Sequence, residues 1–131
     1  MDKTVNFNLT GKVAVVTGAS RGLGVELATS LAEYGADLAL MAGNEEKMKK
    51  VAADISGKTG AKVITVKVNI SNEENVREAV AAVMKEYGRI DILVNNAGII
   101  RYGRPEEISH KDWTECIDVA VTGTWLMSKE V

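Results

Sequence analysis

Short apolar runs alternate along this chain with longer segments whose apolar residues recur every three to four positions. The runs cover residues 13–16, 38–41, 63–68 and 90–94, and such runs are typical of strands buried on both faces. Helical segments between buried strands force parallel pairing through right-handed crossovers. The alternation therefore predicts an α/β fold, a doubly wound parallel sheet of about four strands with flanking helices.

Residues typical of helix ends bound the helical segments. The predicted N-caps are Asn44, Ser71 in a capping box with Glu74, and Ser109 with Asp112; the predicted stops are Gly35, Gly57 and Gly88. The predicted apolar stripes are Leu23, Leu27, Leu31 and Tyr34; Met48, Val51, Ala52 and Ile55; Val76, Ala79, Val80, Val83, Met84 and Tyr87; and Trp113, Cys116, Ile117 and Ala120. The last helix is predicted to run to the end of the chain.

Composition places residues 1–131 in one globular domain, since no linker or low-complexity tract interrupts them. The net charge of −2 gives no electrostatic reason to expect nucleic acid or an anionic membrane as a partner. Lys47, Lys49 and Lys50 are interpreted as a solvated helix face. Cys116 is the one cysteine, and neither a signal-peptide pattern nor a membrane-length apolar run is present. We expect a soluble, cytoplasmic protein.

The glycine-rich turn after the first strand carries the strongest local signal. Residues 17–24 read Thr-Gly-Ala-Ser-Arg-Gly-Leu-Gly and lead directly into a helix. A diphosphate must approach this backbone closely, which a side chain at Gly18 or Gly22 would obstruct, and it then meets the free N–H groups of the helix N-terminus. Gly24 allows the helix to pack tightly on the sheet. The turn predicts an anion-binding site.

The Gly-x-x-x-Gly-x-Gly spacing, the Asn95-Asn96-Ala97-Gly98 turn after the fourth strand and the Asp112-Trp113 helix resemble the short-chain dehydrogenase/reductase family over essentially the whole chain. The resemblance implies a Rossmann-like fold and a nicotinamide dinucleotide, NAD(P), as cofactor. It implies that the diphosphate side of the site contains Gly18, Ser20, Arg21, Gly22, Leu23 and Gly24. It places Asn69 and Ile70 on the adenine side, and Asn96, Ala97 and Gly98 near the nicotinamide-side ribose.

Several positions depart from the family's cofactor pattern. Ala42 and Gly43 stand where NAD-preferring members have an acidic residue and NADP-preferring members often have an arginine. Asn69 replaces an aspartate, and Arg21 tilts the preference towards NADP. We therefore expect weak NAD(P) binding with NADP slightly favoured.

The family's catalytic residues are missing from residues 1–131. Ala120 stands where the family has an asparagine, and the family's serine and Tyr-x-x-x-Lys pair would lie beyond Val131. No tyrosine here substitutes, because Tyr34, Tyr87 and Tyr102 are followed four places later by Leu38, Asp91 and Glu106. The resemblance thus implies a truncated, cofactor-binding half of an alcohol/ketone oxidoreductase. We assign no catalytic residue and no metal ligand, and we expect no hydride transfer by this chain alone.

Two other functions remain open. The chain could be a non-catalytic module that binds a nucleotide or a partner chain, or a repurposed hydrolase that uses the glycine turn on a phosphate or ester. His110 and Cys116 suggest a nucleophile pair, but on a helix their side chains would point well apart.

The strand order implied by the resemblance, 3-2-1-4-5-6-7, leaves residues 90–94 as an apolar edge strand without a fifth strand beside it. On the last helix we expect an exposed apolar face made of Trp113, Ile117, Val121, Trp125 and Leu126. We therefore expect a homo-oligomer, most simply a dimer, joined through the fourth strand, the last helix or both.

Overall fold

A computed structural model describes residues 5–131 as one parallel sheet with helices on both faces. The elements are β1 (Val13–Thr17), α1 (Leu23–Glu33), β2 (Asp37–Ala42), α2 (Glu45–Thr59), β3 (Val63–Lys67), α3 (Glu73–Tyr87), β4 (Ile92–Val94), α4 (His110–Ile117), a π-helical turn (Asp118–Thr122) and α5 (Gly123–Glu130). The strand order is β3-β2-β1-β4, with Val15 of β1 in register with Ala39 of β2 and Leu93 of β4. The predicted doubly wound α/β architecture is confirmed.

Alternation along the strands divides the core between the two faces of the sheet. One face of β1 and β2 packs against α1 and α2 through residues that include Val16, Leu40 and Met48. The other face packs against α3 and α5, where Val15, Val76 and Met127 are buried. Because both faces are covered, the strands are almost wholly apolar.

Helix α1 contacts the sheet mainly through small residues, which corrects the predicted stripe in part, since Leu31 of that stripe is half-buried and packs against the core. Leu23 is 66% exposed and Tyr34 is 55% exposed, whereas Ala28 and Ala32 are buried. Large side chains would hold the helix away from the strands, so the close approach at Gly24 selects the alanine face.

Two helix boundaries differ from the prediction. Helix α2 continues through Gly57 to Thr59 and ends at Gly60, which has the left-handed φ of 75° that a terminating glycine supplies. Helix α3 is capped by Asn72, whose side chain accepts a hydrogen bond from the Asn75 amide, and not by Ser71. The predicted cap at Asn44 and the stop at Gly88 are confirmed.

The predicted limits of β3 and β4 and the predicted apolar stripe of α3 are also corrected. Strand β3 ends at Lys67, before Val68, and β4 begins at Ile92, two residues later than predicted from Ile90. Met84 of the predicted α3 stripe is 43% exposed.

The last helical segment begins at the predicted cap, since Ser109 Oγ accepts a hydrogen bond from the Asp112 amide. It does not continue as a regular α-helix, because the Gly123 amide bonds the carbonyl of Asp118 five residues earlier. Leu126, predicted to be exposed, is 3% exposed and belongs to the core. None of the helices within residues 5–131 combines the length and apolarity needed to span a bilayer.

Candidate functional site

A cleft of about 830 Å³ opens at the carboxyl ends of the strands. The loops that follow β1, β2, β3 and β4 line it, and Val119 of the π-helical turn completes its wall. The chain leaves β1 towards β2 on one side and returns to β4 on the other, so the cleft lies where the strand order reverses. Open α/β sheets bind ligands at this point, and the volume falls in the range of ~300–1,000 Å³ usual for small-molecule sites.

The glycine turn after β1 forms one wall, and each glycine meets a different constraint. Gly18 has a φ of 65°, and a Cβ there would lie 2.9 Å from Cα of Ala97. Gly22 has a φ of 58°, and its missing side chain would face open space. Gly24 lies outside the cleft lining; a Cβ on it would collide with the Gly18 carbonyl oxygen. Gly22 caps α1 without a side-chain hydrogen bond, so the helix N-terminus remains accessible to an anion.

A buried hydrogen-bond network joins the ends of β1 and β4 beneath the cleft. Thr17, 1% exposed, accepts hydrogen bonds through Oγ1 from the amides of Asn96 and Ala97, each at 3.0 Å, and donates to the Val94 carbonyl at 3.3 Å. The Asn96 side-chain amide donates to the carbonyl oxygens of Thr17 and Gly18. The network fixes the separation of the glycine turn and the turn at residues 96–98.

The loop after β2 adds a cation that the sequence interpretation missed. Asn44 caps α2 by accepting a hydrogen bond from the Lys47 amide, and both residues line the cleft. Lys47 is exposed, as predicted for a solvated helix face, and it also lines the cleft; its position in the first turn of a helix that follows a parallel strand was the available signal. No acidic side chain stands at Ala42 or Gly43.

The loop after β3 is held by its own side chains. Asn69 Oδ1 accepts hydrogen bonds from the amide and the hydroxyl of Ser71, and the Asn69 amide donates to Asn75 Oδ1 at 2.6 Å. Ile70 is 8% exposed and lines the cleft. The amide oxygen of Asn69 is thus occupied within the loop, which leaves its NH₂ group for a ligand.

All of the cofactor-site residues predicted from the sequence, apart from Gly24, lie together in this cleft. The sequence interpretation missed the following lining residues: Met41, Asn44, Lys47, Val68, Ile99, Ile100 and Val119. Most of these are apolar residues in loops or helix turns, which periodicity does not distinguish from core positions.

The cleft is lined mainly by backbone groups and apolar side chains, with few titratable groups. Its charged lining residues are Arg21 and Lys47, and it contains no carboxylate, histidine, cysteine or tyrosine. Ala120 is exposed and does not line it. His110 lies in a separate cavity of about 360 Å³ that Cys116 does not line. Residues 5–131 contain no group of side chains suited to a metal ion.

The groups with displaced pKa values lie at the amino ends of the strands, opposite the cleft. Hydrogen bonding to Arg89 and to the Val13 amide lowers the pKa of Asp91 to about 2. Burial raises the pKa of Tyr87, whose hydroxyl donates to the Leu38 carbonyl. These groups stabilise the amino ends of the strands and do not reach the cleft. The cleft itself, cationic with an open helix N-terminus, fits an elongated anionic ligand such as a dinucleotide.

Comparison with known proteins agrees with this geometry. A 3-oxoacyl-(acyl-carrier-protein) reductase of Chlamydia muridarum is 42% identical over 114 residues, which cover 87% of this chain and 46% of that protein. The alcohol dehydrogenase of Thermococcus sibiricus, solved with 5-hydroxy-NADP, matches with a TM-score of 0.88 and 37% identity over 91% of this chain and 51% of its own. The L-sorbose reductase of Gluconobacter frateurii, solved with NADPH and L-sorbose, matches with a TM-score of 0.91 and 30% identity. The match covers 97% of this chain and 48% of that chain.

The chain spans about half the length of the curated relatives it matches. The family model described as short chain dehydrogenase matches residues 12–131, almost the whole of the chain. The fold, the glycine turn and the sequence matches agree, and the chain belongs to the short-chain dehydrogenase family of oxidoreductases.

Proposed function

We propose that this chain binds NAD(P) in the cleft at the carboxyl ends of its strands, as the cofactor-binding half of an alcohol/ketone oxidoreductase. The observation that carries the proposal is the convergence of the glycine turn, the helix α1 N-terminus and the turn at residues 96–98 on one cleft. Relatives solved with 5-hydroxy-NADP and with NADPH support it.

Each part of the cleft is suited to a part of the dinucleotide. The turn at residues 18–24 offers backbone amides to the diphosphate. Asn69 and Ile70 border the adenine side, and the turn at residues 96–98 borders the nicotinamide-side ribose. Gly22 supplies the open approach, because nothing lies within 4 Å of the position of its missing Cβ.

NADP is the preferred cofactor in this proposal. Arg21 and Lys47 line the cleft, and no carboxylate there could bind the 2′-hydroxyl of NAD. Binding is weak, because the family's usual groups at positions 42 and 43 are absent, and each lost charged hydrogen bond costs about 1.5–3 kcal/mol.

Calorimetric titration of NADP⁺ and NAD⁺ tests both points. We expect Lys47→Ala to weaken NADP⁺ binding roughly tenfold and to leave NAD⁺ binding unchanged, since the 2′-phosphate loses a cation. Lys50→Ala is the matched control, because Lys50 lies on the same helix but outside the cleft. Equal effects of the two substitutions, or tight and selective NAD⁺ binding, would contradict the preference; no binding of either cofactor would contradict the function.

Residues 1–131 alone do not catalyse hydride transfer in this proposal. They contain no Tyr-x-x-x-Lys pair, and no titratable group other than Arg21 and Lys47 lines the cleft. Assays of the purified chain with NADPH and a panel of ketones are expected to show no turnover, also after Ala120→Asn. Cofactor-coupled reduction by the purified chain would overturn this part.

We further propose that the chain forms a dimer with a second copy through the helical segment α4–α5. Trp113, Ile117, Val121 and Trp125 are spaced four apart and are between 38% and 60% exposed. We call them the apolar stripe. In an antiparallel two-fold contact between two copies of this stripe, the tryptophan at each end of one copy meets the tryptophan at the opposite end of the other. Light scattering at micromolar concentration measures the mass of the assembly.

The cytoplasmic location expected from the sequence stays a prediction.

A further inference from the structure

Helix α5 begins in close contact with the loop that follows β3. A Cβ on Gly123, which is buried, would lie 2.7 Å from both Cγ1 and Cδ1 of Ile70 and 3.2 Å from the Ile70 carbonyl oxygen. The φ of −62° and ψ of −42° at Gly123 are ordinary helical values that any residue adopts. A glycine inside a helix costs about 0.5–1 kcal/mol relative to alanine. This glycine is therefore explained by the space it leaves and not by its backbone conformation.

The backbones on both sides of this contact are held in place. The loop is fixed by hydrogen bonds of Asn69 with Asn75 and Ser71, at 2.6 Å in each case. Helix α5 is anchored by Leu126 and Met127 in the core. Of the atoms that face Gly123, the side chain of Ile70 is the part that can rotate.

Ile70 and Val119 both line the cleft, and Val119 precedes Gly123 by four residues on the same helical segment. The structure can therefore accommodate an extra methyl group at position 123 in two ways. It either turns Ile70 into the cleft or moves the segment that contains Val119. The first change narrows the cleft beside Asn69, where the proposed function places the adenine, and the second displaces the wall that Val119 forms.

We propose that Gly123 is a positioning residue for the cofactor. It does not contact the dinucleotide, and its missing side chain sets the width of the adenine end of the cleft through Ile70. The inference rests on the proposed function, because it concerns the same cleft. It extends the cofactor site to the helical segment whose opposite face carries the apolar stripe.

A double-mutant cycle on NADP⁺ affinity tests this role. We expect Gly123→Ala to weaken NADP⁺ binding about tenfold in the wild-type background. In the Ile70→Ala background, where the side chain that meets the new methyl is shortened, Gly123→Ala is expected to change the affinity less than about twofold. Gly57→Ala is the control, since that helical glycine has nothing within 4 Å and should leave the Kd unchanged.

Unchanged NADP⁺ binding by Gly123→Ala, or an equal loss in both backgrounds, overturns the proposal. Should Gly123→Ala fail to fold, the wild-type chain still decides the matter by NMR. The Ile70 δ1 methyl resonance must shift on addition of NADP⁺, while that of Ile55, buried on the other face of the sheet, stays in place. An unmoved Ile70 methyl refutes the role of Gly123, whereas a wild-type chain that does not bind NADP⁺ refutes the proposed function.

Discussion

At the scale of single residues, the glycine turn combines two separate physical demands. Gly18 and Gly22 adopt positive φ values that other residues rarely adopt. Gly24 has no such φ, but its α-hydrogen faces the Gly18 carbonyl oxygen, where a methyl group cannot fit. The turn therefore requires a positive φ at Gly18 and Gly22 and close approach at Gly18 and Gly24.

We expect Gly24→Ala to destabilise the protein by about 1–3 kcal/mol, because the new methyl meets backbone and Asn96 atoms that cannot move aside cheaply. Urea denaturation measures the free energy of unfolding. Gly57→Ala is the matched control and is expected to stabilise by about 0.5–1 kcal/mol, since it replaces an uncrowded glycine inside α2. Equal effects of the two substitutions would show that the contact at Gly24 is not tight.

The sequence predicted the residues of the cleft where a motif marks a backbone requirement. Gly18 and Gly22 were found because glycines between a buried strand and a helix signal a turn, and the turn at residues 96–98 was found through the family resemblance. Lys47 was missed because a lysine among charged helical residues has the same pattern whether it faces solvent or a ligand. Its place in the cleft depends on how α2 leaves the sheet, which is a tertiary property.

At the scale of elements, the order of strands and helices followed from periodicity, but the packing of α1 did not. The leucines at 23, 27 and 31 and the small residues at 24, 28 and 32 have the same spacing of four, and the helix buries the small residues Gly24, Ala28 and Ala32. Distance between helix and sheet decides which face is used, and periodicity contains no information on that distance. The sequence also could not distinguish Gly57, inside α2, from the true stop at Gly60, because both are glycines that follow the last apolar residue of the helix.

The amino ends of β1 and β4 are joined by a carboxylate whose effect depends on pH. Asp91 accepts a hydrogen bond from the Val13 amide at 2.9 Å and pairs with Arg89 at 2.6 Å. Its pKa of about 2 lies below the usual 3.8, so the unfolded chain binds this proton more readily than the folded chain. The stabilisation is therefore complete above about pH 4 and is lost as the pH falls towards 2.

We expect Asp91→Asn to be less stable than the wild type at pH 6 and to lose less further stability between pH 4 and 2, because it lacks this titrating group. Urea midpoints measured across that range provide the comparison. Asp54→Asn is the control, since Asp54 is exposed on α2 and forms no ion pair within the described chain. If Asp91→Asn loses as much stability between pH 4 and 2 as the wild type does, the acid sensitivity comes from other carboxylates.

At the scale of the whole molecule, the helices cover both faces of the sheet, but apolar side chains remain accessible at the β4 edge and along the α4–α5 segment. Strand β4 pairs with β1 on one side and, within residues 5–131, with no strand on the other. With three residues it offers a shorter edge than the sequence predicted. The apolar stripe extends over α4, the π-helical turn and α5, and its side chains are more exposed than those of β4.

The stripe therefore makes a specific prediction about assembly. In an antiparallel two-fold pairing of the segments, Trp113 of one copy lies near Trp125 of the other, and Val121 lies near the axis. We expect the wild-type chain to have twice its monomer mass of 14.1 kDa in light scattering at micromolar concentration. Val121→Glu is expected to yield monomers. Both copies carry the substitution, so a dimer would bury two unpaired carboxylates, and each unpaired buried charge costs roughly 3–5 kcal/mol. Met84→Glu is the control and is expected to remain dimeric, because Met84 is an exposed apolar residue on α3 outside the stripe. A monomeric wild type, or a dimer that survives Val121→Glu, would exclude the stripe as the contact between copies.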